Sequence, residues 1–440
     1  MRTEEVRAKV NERDSVGFFR RELPGGAVLV GERVPGRRSL AVGIRLAAGS
    51  RDERPGEEGA AHFVEHLVFK GTRRRSAPEI ASCLERVGGS LDAFTTKETT
   101  CFYSRVLEGD VELAVDVLAD LVSRPCFAPA DVERERKVVL EELRSLDDNP
   151  EDLIGDLAMT YLWPGHIMGV SILGTEASLA GLDSKRIGAF HRRLYRGGRI
   201  VVSAVGAVDP DRLAASFARA MDLPVGGDSL TRRPPKPAGP EIVLHRRDAS
   251  QLHLNLVVPA PAEPDPRRYA VQLLAEMMGG GMSSRLFQAI REQAGLAYSV
   301  YSYSEHFSDC GIYGSGLAVS PARVAEALEK AYAEMRRFIR EGPRPGELDA
   351  AKAQARGALI MGEESLTTRM LVLARMESLR HRYEPPEVRL ARYDAVSEED
   401  VLDAARELLD PDRQAILALG PVEPEALGGA SPVRVIEDGS

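Results

Sequence analysis

The chain has 440 residues, 43% hydrophobic and 28% charged, enough for two or three domains with their own cores and too apolar for a disordered chain. Lys and Arg number 58 against 67 Asp and Glu, and the net charge of −9 argues against nucleic acid as a partner. The charged opening MRTEEVRAKVNERDS carries no signal-peptide core, and no apolar run approaches the roughly 18 residues of a membrane helix, so a cytoplasmic location without a membrane partner is expected.

In chain order, residues 27–34 and 40–46 read as short strands bounded by Gly, Pro and Arg. A helix follows at 59–69 and another at 78–87, with Ser76 and Glu79 spaced as a capping box and Gly88-Gly89 as its stop. The Thr-, Phe- and Tyr-rich stretch 91–106 reads as strand, 111–122 and 129–146 as helices, and 200–205 as strand. Residues 223–240 are rich in Pro and Gly with no hydrophobic period, which marks a linker. Beyond it, 241–258 reads as strand, 266–278 as helix ended by Gly279-Gly280-Gly281, 284–292 as helix, 297–304 and 311–317 as strands, and Ser320-Pro321 as the start of a long helix to 340, with more helices after it. The same order of strands, helix, hairpin and long helices occurs twice. The expectation is an α+β fold of two related domains, 1–222 and 241–440, each a mostly antiparallel sheet packed with helices.

The segment Ala61-His-Phe-Val-Glu-His-Leu-Val-Phe-Lys-Gly-Thr72 is the most informative. His62 and His66 are four apart, so on a helix they project from one face and can ligate one tetrahedral metal; imidazole suits zinc. Glu65 lies on the same side, where its carboxylate can act as general base on a water that the metal acidifies. This is the H-x-x-E-H order. Catalytic zinc needs a third protein ligand, and the charged helix 131–145 offers Glu133, Glu135, Glu141 and Glu142. Glu135 and Glu142 are seven apart and share a face, but periodicity does not choose among the four. The plain alternative for each is a solvated helix face.

Four cysteines, Cys83, Cys101, Cys126 and Cys310, lie far apart with no C-x-x-C pair, and are expected to be reduced and mostly buried. His245, His253, His306 and His381 are scattered and read as structural or surface residues. Gly279–Phe287 lacks the Lys-Ser/Thr of a phosphate-binding P-loop and follows a helix rather than a strand, so nucleotide binding is not expected there.

With His62-Phe-Val-Glu-His66, Phe69-Lys-Gly-Thr72 and a glutamate-bearing helix about 76 residues further on, the chain resembles the pitrilysin/insulysin group of inverted zinc metallopeptidases, and within it the mitochondrial-processing-peptidase-like branch. The resemblance implies that His62, His66 and Glu142 bind one zinc ion per chain, that Glu135 supports a ligand imidazole, and that Glu65 is the base. Gly88–Tyr103 is similar to the family's substrate-pairing strand, which implies peptide contacts at Asp92, Ala93, Phe94 and Thr95, although the family often has Asn where this chain has Asp92. Gly279, Gly280 and Gly281 resemble the family's flexible substrate loop. Arg291 and Tyr298 resemble the Arg/Tyr pair that holds substrate and stabilises the oxyanion. The second domain has no metal motif. The family builds a clamshell from four domains, of which this chain supplies two, so a homodimer, or a heterodimer with a paralogous chain, is implied. The expected activity is zinc-dependent hydrolysis of short or unfolded polypeptides in an enclosed chamber. The competing expectation is a non-catalytic structural or partner subunit of a processing-peptidase-like complex.

Overall fold

A computed structural model describes residues 17–227, 230–380, 382–428 and 432–437. In chain order these form β1 (Phe18–Glu22), β2 (Val28–Arg33), β3 (Ser39–Leu46), α1 (Ala60–Val68), α2 (Ala77–Glu85), β4 (Ser90–Thr95), β5 (Thr100–Leu107), α3 (Val111–Ser123), α4 (Pro129–Asp147), α5 (Pro150–Leu162), α6 (Glu176–Gly181), α7 (Ser184–Leu194), β6 (Ile200–Gly206) and α8 (Pro210–Ala220). Then come β7 (Ile242–Arg246), β8 (Leu252–Pro259), α9 (Arg268–Gly279), β9 (Ala297–His306), β10 (Gly311–Val319), α10 (Val324–Glu341), α11 (Glu347–Glu364), α12 (Leu366–Arg380), α13 (Pro386–Asp394), α14 (Glu398–Leu408), β11 (Ala415–Leu419), α15 (Glu425–Gly428) and β12 (Val433–Glu437). No helix of the described residues is long and apolar enough to cross a membrane.

Two six-stranded sheets result, and they repeat one another. The first runs β1-β2-β6-β3-β5-β4 and the second β12-β7-β11-β8-β10-β9. The parallel pair β2–β6 has its counterpart in β7–β11, and the antiparallel run β6-β3-β5-β4 in β11-β8-β10-β9. Only the outermost place differs: β1 fills it antiparallel to β2, whereas β12 fills it parallel to β7. This is the α+β, mostly antiparallel architecture expected from the sequence.

The compact units are not continuous halves. The first draws on Met1–Leu143, Ile172–Thr231 and Ile360–Pro386; the second on Arg144–Ser171, Arg232–Leu359 and Glu387–Ser440. A division at 223–240 therefore puts α5 and α12 on the opposite sides from their packing. The reason is burial. Every residue of β6 is buried, so the sheet needs cover on both faces. One face carries the main core with α1 and α3; the other, with Val30, Ala41, Val201 and Val205, is covered by Leu366, Met370, Leu373 and Ala374 of α12. Ser203 Oγ donates to the Met370 carbonyl at 2.9 Å, and Arg20 pairs with Glu377 at 3.1 Å. In the second unit, Ile154, Ala158 and Leu162 of α5, with Trp163, cover Val243, Val257, Leu417 and Leu419 in the same way. The described residues of 223–240 contain no helix or strand; Asp228 and Ser229 of that segment, and His381, lie outside the described residues.

Three local expectations change. The stretch 91–106 is not one strand but the hairpin β4–β5, turned at Thr96–Thr99, where the Thr96 N–H donates to Thr99 O at 2.7 Å. The stretch 241–258 is likewise two strands, broken by the polar run 247–251. Residues 287–292 form a π-helical turn rather than an α-helix. The capping box of α2 is present, with Ser76 Oγ to Glu79 at 2.7 Å, and Gly88 supplies the positive φ of 71° after it.

Candidate metal centre

The site grows from how α1 starts and what it buries. Gly59 has φ 88°, and a Cβ there would sit 2.6 Å from the Leu173 carbonyl oxygen, so only glycine fits. The buried Glu53 carboxylate accepts the Gly59 and Ala61 N–H groups at 3.0 and 2.8 Å, satisfying donors that the first turn leaves unpaired. Phe63, Val64, Leu67 and Val68 turn into the core, which leaves His62, Glu65 and His66 half-buried on the other face. On α4, Val132, Glu135 and Val139 are buried at helical spacing, so the face that packs inward also aims Glu135 and Glu142 at the histidines.

Both imidazoles present Nε2 to Glu142 Oε2, at 3.8 Å from His62 and 3.6 Å from His66, with ring centroids 4.6 Å apart. Ligand atoms around a tetrahedral zinc lie about 3.3–3.6 Å from one another. One ligand atom from each of His62, His66 and Glu142 lies within 4.8 Å of the others, and no other group of His, Cys, Asp or Glu among the described residues meets this test. Glu135 takes a different part: its Oε2 lies 3.4 Å from His66 Nδ1 and its Oε1 2.9 Å from Lys70 Nζ. Lys70, Glu135 and His66 thus lie in a line, with the Glu135 carboxylate between the other two. Glu133 instead pairs with Arg136 on an exposed face, and Glu141 is exposed.

The electrostatics suit a cation. Burial, aided by the neighbouring His66, pushes His62 down to about 4, so its imidazole is neutral and free to donate a lone pair at neutral pH. Burial raises the Glu65 carboxyl, opposed by the nearby Thr95 hydroxyl and by His66. His62 Nδ1 and Glu65 Oε2 are buried without a hydrogen-bond partner. A half-buried pocket of two imidazoles, one ligand carboxylate and a second carboxylate with an unsatisfied oxygen fits a divalent ion and a water.

The edge of the first sheet lies beside this centre. Among the described residues β4 pairs only with β5, and its last residue is Thr95, next to Glu65. Leu91 and Ala93 pack toward the core, Asp92 is exposed, and Phe94 meets the Tyr103 ring edge-on at 6.2 Å. In the second unit, Arg291 and Tyr298 are both exposed and close together, the guanidinium 5.6 Å from the phenol ring centroid and 4.8 Å from that of Phe287. Gly279 has a packing reason: a Cβ would lie 2.3 Å from the Ser302 backbone nitrogen. Gly280 ends α9 in a right-handed conformation rather than a left-handed cap, and Gly281 meets nothing within 4 Å. None of the four cysteines is in a disulfide; Cys126 is exposed, Cys101 buried. His245 bonds Tyr161 Oη at 2.7 Å, His306 Nδ1 lies 2.7 Å from Pro261 O, and His253 is buried; none of them belongs to the metal group.

An α+β unit with an inverted H-x-x-E-H helix facing a glutamate-bearing helix defines the inverted-motif class of metallopeptidase. The chain belongs to peptidase family M16, the insulinase or pitrilysin family. Residues 28–176 match the family model described as Insulinase (Peptidase family M16), and residues 181–355 the one described as Peptidase M16 inactive domain. An uncharacterized zinc protease of Mycobacterium leprae is 39% identical over 427 residues, 95% of each chain. The uncharacterized zinc protease YmxG of Bacillus subtilis is 34% identical, over 88% of this chain and 94% of its own. The fold is shared with a protease from Helicobacter pylori (TM-score 0.86, 21% identity, covering 92% of this chain and 100% of that one). It is also shared with a peptidase M16 inactive domain from Pseudomonas fluorescens (TM-score 0.85, 22% identity, 92% and 98%).

Lys70 is the residue of this centre that pattern reasoning did not single out. Its signal is a cation four residues after His66, able to reach whatever acid faces that histidine.

Proposed function

We propose that the chain is a zinc-dependent endopeptidase that hydrolyses extended peptide segments, with one zinc held by His62, His66 and Glu142. The convergence of two Nε2 atoms on Glu142 Oε2, with Glu65 beside them, carries this reading. When bound there, the ion would polarise the scissile carbonyl and acidify a water. Glu65 would take a proton from the attacking water and return it to the leaving amine; its raised affinity for protons suits a group that must both accept and release one. Glu135, held by Lys70, fixes the His66 ring. The free edge of β4 supports an extended substrate, since main-chain pairing there brings a peptide past Thr95 toward Glu65. Arg291 and Tyr298 are donors suited to hold the substrate carbonyl oxygen in this scheme.

The test is metal content with peptide cleavage. About one zinc per chain and cleavage of a quenched unfolded peptide that stops with chelator and returns with zinc are expected. Stoichiometric zinc without cleavage of any peptide would assign the chain to a non-catalytic partner role. Mixing Glu65→Gln chains with Tyr298→Phe chains then asks whether active sites are shared in a dimer: recovered activity requires exchange between subunits.

A further inference from the structure

A second site lies in the first unit, where the chain leaves α1 and where it enters α4. Residues 71–73 and 124–126 are laced together: Arg73 N–H donates to Arg124 O and Cys126 N–H to Gly71 O, both at 3.0 Å, and Thr72 and Pro125 form an antiparallel bridge. Phe127 follows at φ 49°, the one non-glycine with positive φ among the described residues. A non-glycine residue is strained in the left-handed region, so its surroundings must impose it. They do: Ser184 Oγ donates to the Phe127 carbonyl at 2.5 Å, and the ring packs edge-on against His191 at 5.4 Å. The result is a stiff corner set against one face of α7.

Between them is a cavity of about 590 Å³ whose wall includes Arg73, Arg124, Cys126, Lys185 and Arg192 and no carboxylate. Lys185, Gly188 and Arg192 follow one another at helical spacing, and Gly188 leaves room for the Arg192 guanidinium, which lies 3.2 Å from where a Cβ would be. Arg124 is already answered by Asp120 at 3.9 Å, Asp222 at 3.7 Å and the Ala220 carbonyl. Arg73, Lys185 and Arg192 are exposed and pair with no carboxylate among the described residues. At the start of α7 the capping Asp183 carboxylate accepts the Arg186 N–H at 2.8 Å and offsets the partial positive charge of that helix end, so the positive field at the cavity comes from the side chains. Three cations that face one cavity without a carboxylate partner among the described residues, in a chain of net charge −9, make a local positive field that attracts anions.

We propose that this cavity binds a compact polyphosphate-class anion, a linear triphosphate either free or as the tail of a nucleotide. Guanidinium forks match phosphate oxygens in pairs, and a lysine adds a point charge. The volume is that of a small-molecule pocket. The site shares no residue with the metal centre and does not depend on peptidase activity.

The test is calorimetric titration of the full chain with sodium tripolyphosphate at physiological salt, with ATP, orthophosphate and a glutamate hexapeptide as further ligands. Saturable one-to-one binding of tripolyphosphate is expected, with orthophosphate much weaker. Arg73→Glu/Arg192→Glu should weaken it by about tenfold or more, and Arg73→Gln/Arg192→Gln by less, with melting curves showing both variants folded. Equal affinity for ATP assigns recognition to the triphosphate alone, and tighter ATP binding assigns the source to a nucleotide; either supports the site. The proposal is overturned by no binding, or by binding that survives both double variants, as capture by a protein-held metal would. Equal loss in the exposed control Arg37→Glu/Arg38→Glu, or a hexapeptide that binds as tightly, also overturns it.

Discussion

Replacing Lys70 by Met separates two physical accounts of the metal centre. Glu135 is buried to 4% side-chain exposure, with Lys70 on one oxygen and His66 on the other. Breaking a buried ion pair costs about 3–5 kcal/mol; because the Lys70 side chain is 34% exposed, solvent screens part of this, and about 1–2 kcal/mol is expected. The metal affinity is more telling. If charge alone governs the site, removing a nearby cation reduces repulsion and zinc binds more tightly. If Lys70 acts by holding Glu135, and Glu135 by holding the His66 ring, zinc binds about 10–100-fold more weakly, the range for loss of a partner behind a ligand. Competition with a chromophoric chelator reads the affinity without reference to activity. Lys70→Arg, which keeps a cation in reach, should restore most of it. Zinc affinity in Lys70→Met equal to or above that of the parent would refute the positioning argument.

Glu65→Gln should leave zinc content unchanged while lowering peptide cleavage by about 10²–10⁴-fold, measured with a quenched substrate. Stability should fall on acidification because His191, buried and stacked on Tyr195 at 4.1 Å, is pushed down to about 4. Below about pH 6.5 the unfolded chain takes up a proton that the folded one refuses, so about 2–3 kcal/mol is lost between neutrality and pH 4.5. Urea midpoints across that range measure it, and His191→Gln should flatten the slope. Met370→Ala, at a fully buried position of α12, should cost about 2–5 kcal/mol and speed amide exchange in β3 and β6 while leaving β8 and β11 protected.

What could be read from the sequence was local. His62, Glu65 and His66 lie within five residues on one helix, so spacing alone puts them on one face, and the α2 capping box is equally self-contained. Glu142 was open among four glutamates by periodicity; the resemblance singled it out, and its contact with both imidazoles sets it apart from Glu133 and Glu141. The β4–β5 turn escaped notice because Thr96-Lys-Glu-Thr99 contains no Gly, Pro or Asn to punctuate it. β1 and β12 are outermost strands of five residues each, too short for an alternation to establish itself. The exchanged helices were illegible for a different reason. A strand buried on both faces announces that a second layer exists, but nothing in Ile200–Gly206 says which of many amphipathic helices supplies it.

The placement of α12 bears on how the protein is made. The sheet of the first unit is complete once residue 206 has left the ribosome, yet its outer cover begins at residue 366, which at ordinary elongation rates arrives roughly 8–30 s later. For that interval an apolar sheet face stands open to whatever is nearby, a window in which a holding chaperone would have most effect. A nick in the 223–240 segment would, by the same logic, yield two fragments each lacking a piece carried by the other, so that neither should refold until they are mixed.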